Sequence, residues 1–222
     1  MIYLIKRWVK ARFPKESLVW RTLTTVSAVV FYPRTLYRKY SKSSIFQYES
    51  EMDMCSLYPK GLLDETIAIF APRSVLDLGC GTGRSLDYFH ERGIDVRGIE
   101  GSELAISKAA HPELIQQADL NQVVDLGRKF DLVWSYEVVE HIHPDYVENL
   151  LRTFSNHADR VVLSAARPGQ GGQGHFNEQP PEYWIEKFAG HGYRHDEEAT
   201  RRLRAVPEEF SANMLAFRRG EA

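Results

Sequence analysis

Two groups of residues in this 222-residue chain have the types and spacing that chemistry needs. The first is the stretch Ser74-Val-Leu-Asp-Leu-Gly-Cys-Gly-Thr-Gly83. Glycine at 79, 81 and 83 lets the backbone bend sharply and approach a ligand with no Cβ in the way. Amides at the start of a following helix would point at that ligand, which suits a nucleotide-like cofactor. Cys80 lies inside the turn, where a small side chain fits. The second group is Glu137, Glu140 and His141, with His143 close behind and His175 further on. Imidazole exchanges a proton near neutral pH, so His141, His143 and His175 are candidate general bases.

The elements that must position these groups follow from hydrophobic period and punctuation. Ser74–Leu78 reads as a buried strand, with Arg84–Glu91 as the helix after the glycines. A helix over Gly61–Phe70 precedes it and ends at Pro72. Val96–Glu100 is a second strand. Ser102 is placed to cap a helix running to about Ala110. Leu114–Leu120 is a third strand and Phe130–Val138 a fourth. Pro144 fits the first turn of a helix through Phe154, and Arg160–Ala166 is a fifth strand. Glu182–Gly190 reads as a helix, with weaker strands near Tyr193–Glu197 and Met214–Arg218. This alternation predicts an α/β fold with a doubly wound, Rossmann-like parallel sheet. In such sheets ligands bind outside the carboxyl ends of the strands. Asp77, Glu100, Asp119, the Glu137–His141 segment and His175 all fall there. Each alone reads as a helix cap or a solvated acid; together they mark a site.

Glu100 lies 21 residues beyond Gly79, where an acid can accept from both hydroxyls of a ribose. The dinucleotide pattern Gly-x-Gly-x-x-Gly is not met, because the third glycine comes one place early and Arg84 stands where it is expected.

Val75-Leu-Asp-Leu-Gly-Cys-Gly-Thr-Gly83, Gly98-Ile-Glu-Gly-Ser102, Ala118-Asp119 and Phe130-Asp-Leu-Val-Trp-Ser-Tyr-Glu-Val-Val-Glu-His141 resemble the successive motifs of class I S-adenosylmethionine-dependent methyltransferases. The resemblance covers about residues 60–219. It implies a seven-stranded sheet whose last strand is antiparallel, with S-adenosyl-L-methionine as cofactor. It also implies that Asp77, Gly79, Cys80, Gly81 and Gly83 hold the methionyl part and that Glu100 and Gly101 meet the ribose. Asp119 would accept from the adenine amino group, and Leu120 would pack on the ring.

Glu137-x-x-Glu140-His141 followed by His175 resembles the metal-binding arrangement of small-RNA 3′-terminal 2′-O-methyltransferases. That likeness implies Glu137, Glu140, His141 and His175 as ligands of a divalent ion such as Mg2+ or Mn2+, a Lewis acid and template for a hydroxyl. The same residues also look like the motif of quinone and small-molecule O-methyltransferases, with Glu137 beside the cofactor and His141 or His175 as base. The segment Arg167–Pro181, rich in glycine and proline, reads as a functional loop. Its His175, Asn177 and Gln179 could bind a polyol, whereas Tyr183 and Trp184 read as core.

Composition is that of a globular chain, and the two cysteines make no disulfide framework. A cytoplasmic setting is expected. Residues 1–42 carry ten Lys or Arg and one acid, Glu16, against 18 basic and 29 acidic side chains in the remainder. The expected organisation is a basic helical extension or cap over 1–58 and a methyltransferase domain over 59–222. The extension fits two readings. In one, Trp8, Phe13 and Trp20 pack on the domain. In the other, Ile2, Leu4, Ile5, Trp8 and Val9 lie in a membrane surface with Lys6, Arg7 and Lys10 at the headgroups. The apolar run Thr22–Phe31 is too short to span a bilayer. Ser41–Tyr58 reads as loop or short helix lying over the cofactor mouth.

Three functions remain open on the sequence: O-methylation of a sugar, glycan or polyol-like small molecule; ribose 2′-O-methylation of RNA; and a non-catalytic, cofactor-binding scaffold or membrane adaptor. The main domain lacks the interleaved basic and aromatic surface that RNA binding favours. The intact glycine turn and acids weigh against the scaffold.

Overall fold

The structure is a computed structural model that describes Lys42 and residues 45–220. The readings made for the basic arm lie outside these residues. Among the described residues no helix is long and apolar enough to cross a membrane.

Seven strands form one sheet in the order β3-β2-β1-β4-β5-β7-β6. They are β1 (Ser74–Leu78), β2 (Asp95–Glu100), β3 (Ile115–Gln117), β4 (Leu132–Ser135), β5 (Arg160–Ser164), β6 (Tyr193–His195) and β7 (Met214–Arg219). Strands β1 to β5 are parallel, and β7 runs antiparallel to both β5 and β6. The expected seven-stranded sheet with an antiparallel last strand is therefore present. Among the described residues the α-helices are α1 (Lys60–Phe70), α2 (Arg84–His90), α3 (Glu103–Ile106), α4 (Val147–His157), α5 (Pro181–Gly190) and α6 (Glu197–Arg204).

The period of two along each strand builds two cores. Leu76, Leu78, Val133, Val161, Leu163, Leu215 and Phe217 face one layer with α4 and α5. Val75, Leu132, Trp134, Val162, Met214 and Ala216 face the other with α1, α2 and α6. Strands covered on both faces read as continuous apolar runs, which is why β1, β4 and β5 are legible in the sequence. Each fully buried Val or Leu contributes about 1.5–3 kcal/mol relative to exposure. β1 pairs with β2 on one side and β4 on the other, so the chain switches direction at β1. In a sheet of this order the ligand crevice belongs there, at the carboxyl ends of the strands.

Several elements differ from their expected extents. β3 covers three residues rather than Leu114–Leu120, because Gln116 and Gln117 are exposed at the sheet edge. Asp119 lies beyond it in a turn, where its Oδ1 accepts from the Asn121 amide at 2.9 Å. β4 ends at Ser135, and Phe130 makes only an isolated bridge to Ala158. α3 stops at Ile106 instead of Ala110, although Ser102 Oγ does cap it, accepting from the Ala105 amide at 3.1 Å. Pro144 opens a single 3-10 turn to Tyr146 before α4 begins. α6 occupies residues that carried no helical reading. Only Ala199, Thr200 and Leu203 of its eight residues are buried, so its apolar signal is short.

Candidate active site

The crevice has two walls. The first is the glycine turn. Gly79, Gly81 and Gly83 all have positive φ, at 73°, 56° and 78°. At Gly81 a Cβ would lie 2.1 Å from the carbonyl oxygen of Cys55, and at Gly79 it would lie 2.5 Å from a methyl of Val138. Glycine is required at both by space as well as by φ. The turn is held by Gly79 and Cys80 amides donating to the Ile99 carbonyl at 2.8 and 3.2 Å.

Asp77, the last but one residue of β1, is 3% exposed, and its Oδ2 is buried with no hydrogen-bond partner. Burial, helped by the nearby Glu100 charge, pushes its carboxyl up to about 8. Glu100 ends β2. Its carboxylate accepts from the Gly81 amide (Oε2) and the Ser102 amide (Oε1), both at 2.8 Å. Burial raises its pKa while those amides oppose the shift. Gly101 touches Ile45, which its missing Cβ admits. Leu120 is buried in the core beside Val124 and Val139.

A segment before α1 closes over this wall. Two one-turn helices, Glu49–Glu51 and Met54–Ser56, carry it. The Thr82 amide donates to Cys55 O at 2.8 Å, and Ser56 Oγ lies 3.0 Å from Thr82 Oγ1. Glu51, fully buried, accepts from the Gln47 and Tyr48 amides and from Gln173 Nε2.

The second wall follows β4 and β5. Glu137 has φ +54° and its amide donates to Ser164 Oγ at 2.5 Å. Its carboxylate accepts from Asn213 Nδ2 and Gln170 Nε2, each at 3.3 Å. The next turn, Val139–His141, presents Glu140 and His141. Glu140 is fully buried, and both its carboxylate oxygens lack hydrogen-bond partners. Burial and then the Glu137 charge hold its carboxyl well above the ordinary range. Its backbone oxygen accepts from the Phe176 and Asn177 amides at 2.9 and 3.0 Å, which ties the long loop to this turn.

His141 and His175 meet edge to face with ring centroids 4.9 Å apart. His141 Nδ1 pairs with Gly174 O at 3.0 Å, and Phe46 packs on the ring. His175 Nδ1 pairs with Glu178 Oε1 at 2.8 Å. Burial lowers the pKa of His175, against the pull of Glu178. One ligating atom each from Glu140, His141 and His175 lies within 4.8 Å of the others.

Three of the four expected metal ligands thus converge. Glu137, expected with them, is not within that group; its carboxylate accepts from Asn213 and Gln170 and lies against the Glu140 carboxyl. His143 caps the turn Pro144–Tyr146, its Nδ1 accepting from the Asp145 amide. Trp184 is fully buried and Tyr183 packs against the core, as their core reading expected. Asn177 is buried and accepts from Gln179 Nε2 at 3.0 Å. Glu178, Gln170, Asn213 and Glu51 were not read as site residues. Polar residues common on surfaces give no one-dimensional signal when the fold buries them.

A family model described as "Methyltransferase domain" matches residues 49–203. The chain belongs to the methyltransferase-domain family. The fold is that of class I S-adenosylmethionine-dependent methyltransferases, whose cofactor is S-adenosylmethionine. The chain is 34% identical over 92 residues to a ubiquinone biosynthesis O-methyltransferase from Acinetobacter baumannii. That match takes in 37% of this chain and 38% of the relative, so the chain spans under two-fifths of the length of that curated protein. Among solved structures it is similar to a TehB-like SAM-dependent methyltransferase from Corynebacterium glutamicum, with TM-score 0.56 and 23% identity over 72% of this chain and 88% of that one. Another is the magnesium protoporphyrin IX methyltransferase of Synechocystis with bound SAH, with TM-score 0.54 and 20% identity over 71% and 81%.

Proposed function

We propose that this chain is an S-adenosylmethionine-dependent O-methyltransferase whose acceptor is a hydroxyl on a small sugar, glycan or polyol-like molecule. The observation that carries this reading is the approach of His141 and His175 at the ends of β4 and β5, on the same sheet edge as the glycine turn. A hydroxyl is a poor nucleophile until its proton is taken, and two partly buried imidazoles supply that service.

The fit of the cofactor rests on Asp77. A buried carboxylate with an unpartnered oxygen suits the α-ammonium group of S-adenosylmethionine. Asp77, with Gly79, Cys80, Gly81 and Gly83, takes the methionyl part in this reading. Glu100 and Gly101 take the ribose, and Asp119 and Leu120 the adenine. Glu137 lies beside the methionyl part. The bound cofactor supplies a methyl group activated on a sulfonium. The chain's own residues then align the acceptor oxygen, exclude water and remove the proton. His175 is suited to the last task because burial keeps its ring neutral near pH 7.

The side-chain amides of Gln170, Gln173 and Asn213, bonded to Glu137 and Glu51, make this an ordered polar wall, which suits a hydroxyl-rich acceptor. Transfer to oxygen is also what the name of the Acinetobacter relative states. Residues 1–58 act here as an extension to a catalytic domain of 59–222, and their last residues cap the cofactor turn. The arm's ten basic residues leave contact with an anionic membrane surface as a role for that extension.

A second reading has one observation in its favour, the convergence of Glu140, His141 and His175. The fully buried, unpartnered oxygens of Glu140 and the two imidazoles form a donor set that suits a divalent cation. Held there, Mg2+ or Mn2+ would act as a Lewis acid on a vicinal diol, as in a sugar or an RNA ribose.

Labelled methyl transfer to fractionated metabolites, glycans and RNA tests the acceptor class; label confined to RNA would overturn the small-molecule reading. His175→Ala should cut turnover by about 10²–10⁴-fold with cofactor affinity unchanged. An equal fall in both would make His175 structural. Chelation followed by Mg2+ or Mn2+ add-back separates the two readings, since full activity in chelator removes the metal.

A further inference from the structure

We propose that Glu178 is the positioning residue of this site: it orients His175 and selects its tautomer. The inference rests on the reading of His175 as the proton acceptor. It concerns a side chain whose sequence context, Asn177-Glu178-Gln179, marks nothing by itself.

The geometry is specific. Glu178 Oε1 meets His175 Nδ1 at 2.8 Å. The same oxygen accepts from the Gly171 amide at 2.6 Å, and Oε2 accepts from the Gly169 amide at 2.8 Å. One carboxylate thus gathers two amides at the start of the glycine loop and the imidazole that follows the loop. Only about a sixth of each side chain in the pair is exposed or less, 11% for His175 and 17% for Glu178. The pair is therefore screened less than a surface contact would be.

A carboxylate can only accept, so His175 must present N–H at Nδ1. In the neutral ring Nε2 then carries the lone pair. It is the nitrogen left to take a proton from a hydroxyl. The loop is built to hold the ring in that pose. Gly172 packs directly against it, and a Cβ there would lie 2.2 Å from Nε2. Gly169, Gly171 and Gly174 have φ of 83°, 69° and 76°, so the loop winds around Glu178 and His175 through conformations that other residues resist. From the other side, Gly174 O holds Nδ1 of His141 and fixes the second ring. Glu178 therefore acts on the reaction through His175 and has no contact with the reacting atoms in this scheme.

Protein labelled with ¹⁵N-histidine and treated with chelator gives the decisive measurement. Long-range ¹H–¹⁵N correlations report which nitrogen of each neutral ring carries the proton, and the His175 signals are those lost in His175→Ala. Wild type should show protonated Nδ1 and bare Nε2. In Glu178→Gln the side chain can turn its amide N–H to Nδ1, and Nε2 should gain proton. Turnover should fall at least about tenfold in that variant with cofactor Kd within twofold, and Glu178→Asp should recover part of it. Unchanged thermal unfolding and cofactor binding show that the variant is folded. A wild-type ring protonated on Nε2, which needs no variant to observe, overturns the assignment. So does a Glu178→Gln protein with the wild-type tautomer and turnover. If His175→Ala keeps full turnover, the reading of His175 as base fails and the catalytic role of Glu178 falls with it. The tautomer result still decides whether Glu178 orients the ring.

Discussion

The two walls of the crevice are built by different means. The wall at β1 and β2 is backbone: three glycines with positive φ, amides folded onto Ile99, and acids near the carboxyl ends of two neighbouring strands. Its parts lie within 24 residues, Asp77 to Glu100. The wall at β4 and β5 is a network of side chains drawn from Glu51 to Asn213. Its members meet only because the sheet and the loop after β5 bring them together. A wall of backbone tolerates almost no substitution but depends on local sequence. A wall of side chains can be retuned residue by residue. This division fits a fixed cofactor and a variable acceptor.

The comparison makes predictions that differ in size. The largest is for Gly81→Ala, where a Cβ would strike the Cys55 carbonyl at 2.1 Å and φ is +56°. Loss of about 3 kcal/mol or more of stability is expected, with cofactor binding abolished; thermal unfolding and calorimetric titration read both. Near-native behaviour would mean that the segment before α1 is not seated on the turn.

Asp77→Asn should move stability and affinity in opposite directions. The Asp77 carboxyl is raised from an ordinary 3.8 to about 8 in the folded protein. The folded state therefore binds the proton more tightly, and the contribution present below pH 3.8 is lost as pH rises through about 8. The cofactor-free protein should lose stability across that window, and Asn at 77 should remove that loss. A gain on the order of a few kcal/mol at pH 8 is expected, together with weaker cofactor binding. Chemical denaturation at pH 5 and pH 8, with and without cofactor, measures it.

Glu100→Ala should weaken cofactor binding by about 1–3 kcal/mol through lost hydrogen bonds, read by titration, while acceptor KM holds. The smallest effect is expected for Asn213→Ala on the other wall. Removing its contacts to Glu137 and Gln170 should cost about 0.5–1.5 kcal/mol. It should appear mainly in acceptor KM or turnover, with cofactor affinity, felt only through Glu137, changed less than by Glu100→Ala. A loss of cofactor affinity as large as that of Glu100→Ala would break the division between the walls.

The sheet was readable because its central strands are covered on both faces, so β1, β4 and β5 appear as apolar runs with defined punctuation. Where burial is partial the pattern weakens. β3 was overrun at the exposed edge, and α6 was missed because three buried residues in eight leave little period. Glu137 shows a related limit. Its spacing to Glu140 and His141 groups it with them, and its carboxyl does meet Glu140, yet it also bonds Asn213 and Gln170 and stands outside the convergence of Glu140, His141 and His175.

The order of apolar runs, the three glycines and the acids that follow them come from short-range rules: strand period, backbone freedom at glycine and the fixed distance from a strand end to its turn. Those rules determined the class of fold and a nucleotide-like cofactor from the sequence alone, and the resemblance of the successive motifs narrowed it to S-adenosylmethionine. The meeting of His141 with His175, the seat of Glu178 between Gly169, Gly171 and His175, and the closure of Cys55 over Gly81 were decided by tertiary structure. The first and last of these join residues far apart in the chain, the contacts of Glu178 lie within one loop, and all depend on side-chain or backbone approaches that only the packed structure enforces. Donor and acceptor types say that such bonds can form; only the fold says which ones do.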